Sequence, residues 1–207
     1  MTESDTYPPT EHTRVRRHSE RGSYDRALVH AILDEALVCH VGFVADARPF
    51  VIPTAFVRVG EWLYLHGAVA NRMLGALASP AGVCITVTLL DGLVLARSAF
   101  HHSMNYRSVV VLGTAREVTE PSEKRAALDA LVERMERGRS RAARAPNEKE
   151  LAITRVLAVK LEEVSAKTRS GPPLDDASDY GEPCWAGVVP LKIVAGEPIA
   201  DERPFAT

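Results

Sequence analysis

Nothing in this chain pairs cysteines: Cys39, Cys84 and Cys184 lie far apart, and no CxxC occurs. An odd, dispersed set is a poor disulfide framework, so three reduced thiols are expected, Cys39 and Cys84 inside strands. Neither sign of charge dominates. The 25 basic and 27 acidic residues leave a net charge of −2, which gives no global attraction to nucleic acid or anionic membrane. No apolar run approaches the ~20 residues of a membrane helix, and the first residues lack the apolar stretch of a signal peptide. A cytoplasmic protein with no membrane or nucleic-acid partner is therefore expected. GxGxxG, GxxxxGKS/T, GxSxG and HExxH are all absent, which removes most nucleotide-phosphate and hydrolase classes.

What is present is one chain of 207 residues, 46% hydrophobic, enough for a single sizeable core. Residues 1–22 are polar and charged, a composition that predicts a flexible arm; residues 23–207 then form one domain. Ala27, Leu28, Ala31 and Ile32 recur at helical spacing behind Ser23 and Asp25, which suit a cap. From Leu37 the pattern turns to strands: residues 37–44, a hairpin through Gly60-Glu61, residues 83–90, a turn at Asp91-Gly92, residues 93–100, and residues 106–118 with Gly113 a candidate bulge. Ser79 to Gly82 reads as a break before the fourth of these. A helix is expected from Pro121 to Arg137 and a shorter one over 148–153. Alternation in 156–164 predicts a late strand with one wet face, and Trp185 to Leu191 closes the chain. Six or seven antiparallel strands with peripheral helices predict a mainly β protein, a small closed barrel of Greek-key type.

The stretch from Phe50 to Leu74 holds the candidate ligand site. Pro53-Thr54 inside a strand marks an edge or bulge, where backbone groups are free for a planar heterocycle or simply face solvent. His66 ends a strand beside Gly67, whose missing side chain would let a flat ligand approach. Asn71-Arg72 opens a short apolar helix, where a guanidinium and unpaired N–H groups suit phosphate. Elsewhere, His101-His102 makes a poor bidentate metal site, because neighbours on an extended chain point to opposite faces, and no metal is expected. The arginines 134, 137, 139, 141 and 144 read as a solvated loop, lacking the aromatics of a nucleic-acid surface.

The segments ERGSYD, CHVGFV, FVIPTAFVR, LYLHGA with NRML, and TVTLLDGLVLARSAFHHSMNYRSVVVLG together resemble the pyridoxamine 5′-phosphate oxidase-like, FMN-binding split-barrel family. The nearest branch is that of nitroimidazole-resistance reductases and flavin-nucleotide-binding proteins. The resemblance covers residues 14–191 and implies a homodimer with FMN bound at the subunit interface. It implies that Ile52, Pro53, Thr54, Ala55 and Phe56 run along the isoalloxazine, and that His66 and Gly67 lie near it. Asn71, Arg72 and the adjoining Met73 fall at the phosphate, and Arg107 and Ser108 at positions that reach the cofactor. Trp185-Ala186-Gly187 is similar to a Trp-Gly-Gly segment of the family. Met73 stands where the vitamin B6 oxidases carry a lysine, and their C-terminal Arg-x-His-Asp-Arg motif is missing, so true pyridoxamine phosphate oxidation is not expected. The implied function is reduction of a small acceptor, nitro-aromatic compounds included, by a nicotinamide or other donor, with His66 as the catalytic residue. A non-catalytic flavin-binding or sensing module, and a split barrel for another planar cofactor such as haem or a deazaflavin, are the alternatives.

Overall fold

A computed structural model describes residues 4–78 and 82–202. The expected break at 79–81 lies outside the described residues. The chain divides into two compact units: residues 1–89 with 106–170, and residues 90–105 with 171–207.

The first unit is organised by six strands. They are β2 (Val38–Ala45), β3 (Arg48–Val59), β4 (Trp62–Ala68), β5 (Gly82–Leu95), β6 (Ser103–Glu117) and β7 (Thr154–Lys160); the far end of β5 and the start of β6 belong to the second unit. They follow one another in the order β6-β7-β4-β3-β2-β5, and a β5–β6 pairing closes the ring. Two short additions extend it: β8 (Glu163–Arg169) pairs β6, and β1 (Gly22–Ser23) pairs β8. This is the expected antiparallel barrel with more strands than the pattern predicts. Closure leaves little exposed edge, which is the physical advantage of a small barrel.

Inside the ring lie Cys39, Val41, Phe43, Phe56, Leu63, Leu65, Val109, Val111, Leu157 and Val159, together with Ile32 and Leu33 of α1 (Arg26–Glu35). Asp25 caps α1, its Oδ1 accepting from Leu28 N at 2.7 Å. A second, smaller cluster forms where α3 (Pro121–Met135) brings Ala127 and Leu131 against Val57, Tyr64, Val156 and Ala158 on the outside of the barrel. α2 (Arg72–Leu77), the single turn α4 (Arg139–Ala142) and α5 (Glu148–Ile153) complete the unit. α5 carries a reciprocal cap between Asn147 and Glu150.

Four expectations need correction. Residues 4–22 are not a loose arm: Tyr7 is 1% exposed, and its hydroxyl donates to Glu61 at 2.8 Å. Composition averages over the segment, whereas one aromatic and the backbone bonds Tyr7 N to Tyr24 O and Arg26 N to Asp5 O are what fix it. Asp91-Gly92 makes no turn; β5 runs through it, and Gly92 pairs with Pro190 of β9 (Gly187–Pro190) within the second unit. Residues 156–164 are two strands, and neither face of β7 is wet, since Val156 to Val159 are 0% exposed between the barrel interior and α3. The arginines from 134 to 144 do not share one environment, because Arg134 turns inward to the carbonyls of Leu33, Asp34 and Ala36 while Arg144 pairs with Glu150 at 2.6 Å.

The second unit holds the outer part of β5, the turn Ala99–His101, the turn Ala177–Gly181 and β9. Asp175, with a fully buried side chain, accepts from the backbone N–H groups of Arg97 and Ser98 at 2.9 and 3.1 Å and pairs with the Arg97 guanidinium.

Candidate functional site

The strands β3 and β4 meet over four register pairs, from Val59↔Trp62 to Phe56↔Leu65, and then part. Beyond that point β4 continues along β7, whereas Arg48 to Ala55 of β3 are registered with β2 alone. Pro53 sits on this one-sided stretch, which is where a residue without an N–H is tolerated. The divergence leaves residues 48–55 paired on one side, and their Ala55 end adjoins the point where β4 carries His66.

Alternation then divides the expected cofactor run. Ile52, Thr54 and Phe56 share a face with Val41 and Cys39 of the barrel interior, and Phe56 is 1% exposed. Pro53 and Ala55 point outward with their β2 partners His40 and Val38. Phe56 can therefore contribute to an outer ligand through its backbone alone, whereas Ile52, in the same phase, is 37% exposed. Val38, Val44, Val51 and Pro53 leave an apolar outer surface, Val51 being 68% exposed.

His66 lies on the outer face of β4, opposite in phase to the buried Leu65, and pairs in register with Val156. Its Nδ1 is buried without a hydrogen-bond partner, and burial pushes the imidazole's pKa below its ordinary value. A buried polar nitrogen left unpaired is costly, so this atom is either a strain point or a waiting contact. The space above Gly67 is not open to a ligand as expected: a Cβ there would meet Leu74 Cδ1 at 3.0 Å and Asn71 Nδ2 at 3.4 Å. Gly67 lets α2 pack closely on β4.

Asn71 is the cap of α2, its Oδ1 accepting from Leu74 N at 3.2 Å, so part of the N–H set expected for phosphate is already used. Arg72 is well exposed, stacks 4.5 Å from the centre of the Phe50 ring and pairs with Asp46 at 3.1 Å. So exposed an ion pair contributes about 0–1 kcal/mol and leaves the guanidinium free to turn to another anion. Met73 faces the core at 3% exposure, so its side chain does not belong to a phosphate site. Arg107 makes a two-pronged pair with Glu35, and Ser108 Oγ donates to Lys167 O at 3.1 Å. The structure brings His66, Gly67 and Asn71 together and sets Pro53 and Ala55 on the neighbouring outer face; Arg107 and Ser108 lie on β6, which does not pair with β3 or β4.

A further cluster was not legible in the sequence. Glu61, at the β3–β4 turn, gathers Tyr7, Arg26 and His30, the last at 3.0 Å. Burial raises the Tyr7 phenol well above its ordinary range, with Glu61 adding to the rise, and desolvation lowers His30. The residues come from three separate segments, so no spacing rule would collect them.

A six-stranded antiparallel ring that opens where β3 and β4 part defines the split-barrel class. The model of the pyridoxamine 5′-phosphate oxidase family matches residues 25–168, and the chain belongs to that family. Among solved structures it is similar to the flavocytochrome Anf3 from Azotobacter vinelandii, with 40% identity, 96% of this chain and 92% of that one covered, and a TM-score of 0.91. It is also similar to the FAD and haem binding protein from Mycobacterium smegmatis, at 38% identity, 88% and 89% coverage and a TM-score of 0.84. A 5-nitroimidazole antibiotic resistance protein from Bacteroides thetaiotaomicron shares the fold at 24% identity, 70% and 85% coverage and a TM-score of 0.60. Comparison with curated proteins finds no match.

Proposed function

We propose that the protein is a homodimeric flavin-dependent oxidoreductase, holding FMN or FAD on the outer face where β3 and β4 part. The observation that carries this reading is the one-sided stretch Arg48–Ala55 set beside His66, whose Nδ1 is buried and unpaired. A flavin supplies two-electron transfer between a donor and a small acceptor. The residues of the chain do the rest. The free backbone groups of β3 offer donors and acceptors to a planar ring, Pro53 and Ala55 keep its surroundings apolar, and Arg72 leaves Asp46 to neutralise a phosphate. His66, neutral near pH 7 because burial disfavours its charged form, offers a hydrogen bond to the ring or to the acceptor. The exposed apolar surface of Val38, Val44 and Val51 suits a second copy of the chain.

A second reading adds haem to the flavin. It is favoured because the relatives at 40% and 38% identity are described as a flavocytochrome and as an FAD and haem binding protein. His66, half-buried with an unpartnered ring nitrogen, fits an iron ligand at that face better than the exposed His40, which shares it.

The absorption spectrum of the purified protein, with chromatography of any flavin released on denaturation, tests both readings. Flavin bands with FMN or FAD in the extract are expected, and a Soret band marks the second reading. Arg72→Ala is expected to weaken flavin binding by about 1.5–3 kcal/mol, the range for hydrogen bonds to charged groups, and Asp46→Asn to strengthen it. A colourless protein that binds neither FMN nor FAD in titration would overturn the proposal.

A further inference from the structure

Among the described residues, one group of metal-ligating side chains converges, and it lies within the second unit. His101 Nε2 and a carboxylate oxygen each from Asp176 and Asp179 lie within 4.8 Å of one another. We propose that His101, Asp176 and Asp179 form a divalent-cation site of the zinc or manganese class, which clips the turn Ala99–His101 to the segment Asp176–Gly181.

The adjacent pair His101-His102 does not itself chelate: His102 turns its Nδ1 to Ser98 O at 3.0 Å. His101 instead sits at the end of a tight turn, its N–H donating to Ser98 O at 3.1 Å while Ser98 Oγ accepts from Phe100 N. The two acids are placed by a second turn, in which Asp179 N donates to Asp176 O at 2.9 Å and Glu182 N donates to Asp179 O at 3.0 Å. The buried Asp175 ties the two segments together through Arg97 and Ser98, so the donors are brought into register before any ion arrives. Preorganisation of this kind is what a three-ligand site requires.

Charge points the same way. Arg97 is engaged by Asp175 and lies 4.9 Å from the centre of the Tyr180 ring, and among the described residues no lysine or arginine pairs with Asp176 or Asp179. Two carboxylates beside one imidazole repel each other, and a cation bound between them removes that repulsion. The separation of His101 Nε2 and Asp176 Oδ2 is 3.3 Å, long for a charge-assisted hydrogen bond. It matches the edge of about 3.3 Å between neighbouring ligands of a tetrahedral ion bound at roughly 2.0–2.1 Å. One nitrogen with two carboxylate oxygens suits zinc or manganese better than calcium, and three protein ligands leave a position for water.

The test uses the protein as purified, dialysed against a chelator and titrated calorimetrically with Zn²⁺ and Mn²⁺, with the Co²⁺ spectrum as a report of geometry. One equivalent per chain is expected. Asp176→Asn and Asp179→Asn should each weaken the binding at least tenfold, while His102→Gln should leave it unchanged. Circular dichroism checks that each variant is folded, and His101→Gln serves as an independent variant on the other segment. No saturable binding of either metal by the wild-type protein, or undiminished binding by the Asp176→Asn/Asp179→Asn double variant, would overturn the proposal.

Discussion

At the scale of single residues, His66 shows what burial does to a titratable group when no partner compensates. Its pKa is lowered in the fold by desolvation. The unfolded chain therefore binds a proton more readily than the folded one, so this residue's contribution is fully present above the unfolded value of about 6.5 and declines as pH falls below it. His30, lowered by desolvation and by Arg58, acts in the same direction. Urea unfolding of the cofactor-free protein between pH 7.5 and 5.5 is expected to show stability decreasing toward acid, with a shallower slope in His66→Gln. An identical slope in the variant would mean that His66 titrates alike in both states. Cys39 illustrates the same physics in a thiol: burial pushes it up to about 12, so it is inert.

At the scale of elements, α1 and α3 are joined by one side chain. Arg134, in the last turn of α3, donates to the carbonyls of Leu33, Asp34 and Ala36, the unsatisfied C-terminal carbonyls of α1. The planar fork of the guanidinium reaches several acceptors at once, which a lysine ammonium on its flexible stem does not reproduce. Arg134→Ala should destabilise the protein by about 2–3 kcal/mol, the range for losing charge-assisted bonds at a partly buried site, and Arg134→Lys should recover less than half of that. Chemical denaturation of the three proteins measures it; a lysine variant as stable as wild type would show that charge alone, and not the fork, is what α1 needs. The close fit of α2 on β4 works through the opposite device, the absence of a side chain at Gly67 under Leu74.

At the scale of the whole molecule, the interior of the ring is filled while part of its outer face is not. Alternation along β2 and β3 places Val38, Val44 and Val51 outward with nothing among the described residues over them, whereas the equivalent face of β4 and β7 is covered by α3. An uncovered apolar surface of this kind marks a partner or ligand site. Val51→Glu should therefore convert the proposed dimer to a monomer and release flavin with it, because a buried, unpaired carboxylate at an interface is strongly disfavoured. Light scattering with flavin quantitation reads both effects; a dimer that keeps its flavin would remove Val51 from the interface.

The barrel class, the positions of most strands along the chain, α1, α3 and the hairpin through Gly60-Glu61 were legible because hydrophobic periods, caps and turn residues act locally. The positions of His66 near the end of β4 and of Asn71-Arg72 at the start of α2 were legible for the same reason, since the pattern marks strand and helix ends. The tertiary structure decided everything that depends on partners distant in sequence. It buried Tyr7 against Glu61 in a segment whose composition reads as an arm, drove β5 straight through Asp91-Gly92 by pairing Gly92 with Pro190, and covered the second face of β7 with α3. It turned Met73 into the core, filled the space over Gly67 with Leu74, and brought His101 to Asp176 and Asp179. Local rules set which conformations a segment can adopt, but burial and hydrogen-bond satisfaction are settled only when remote segments meet.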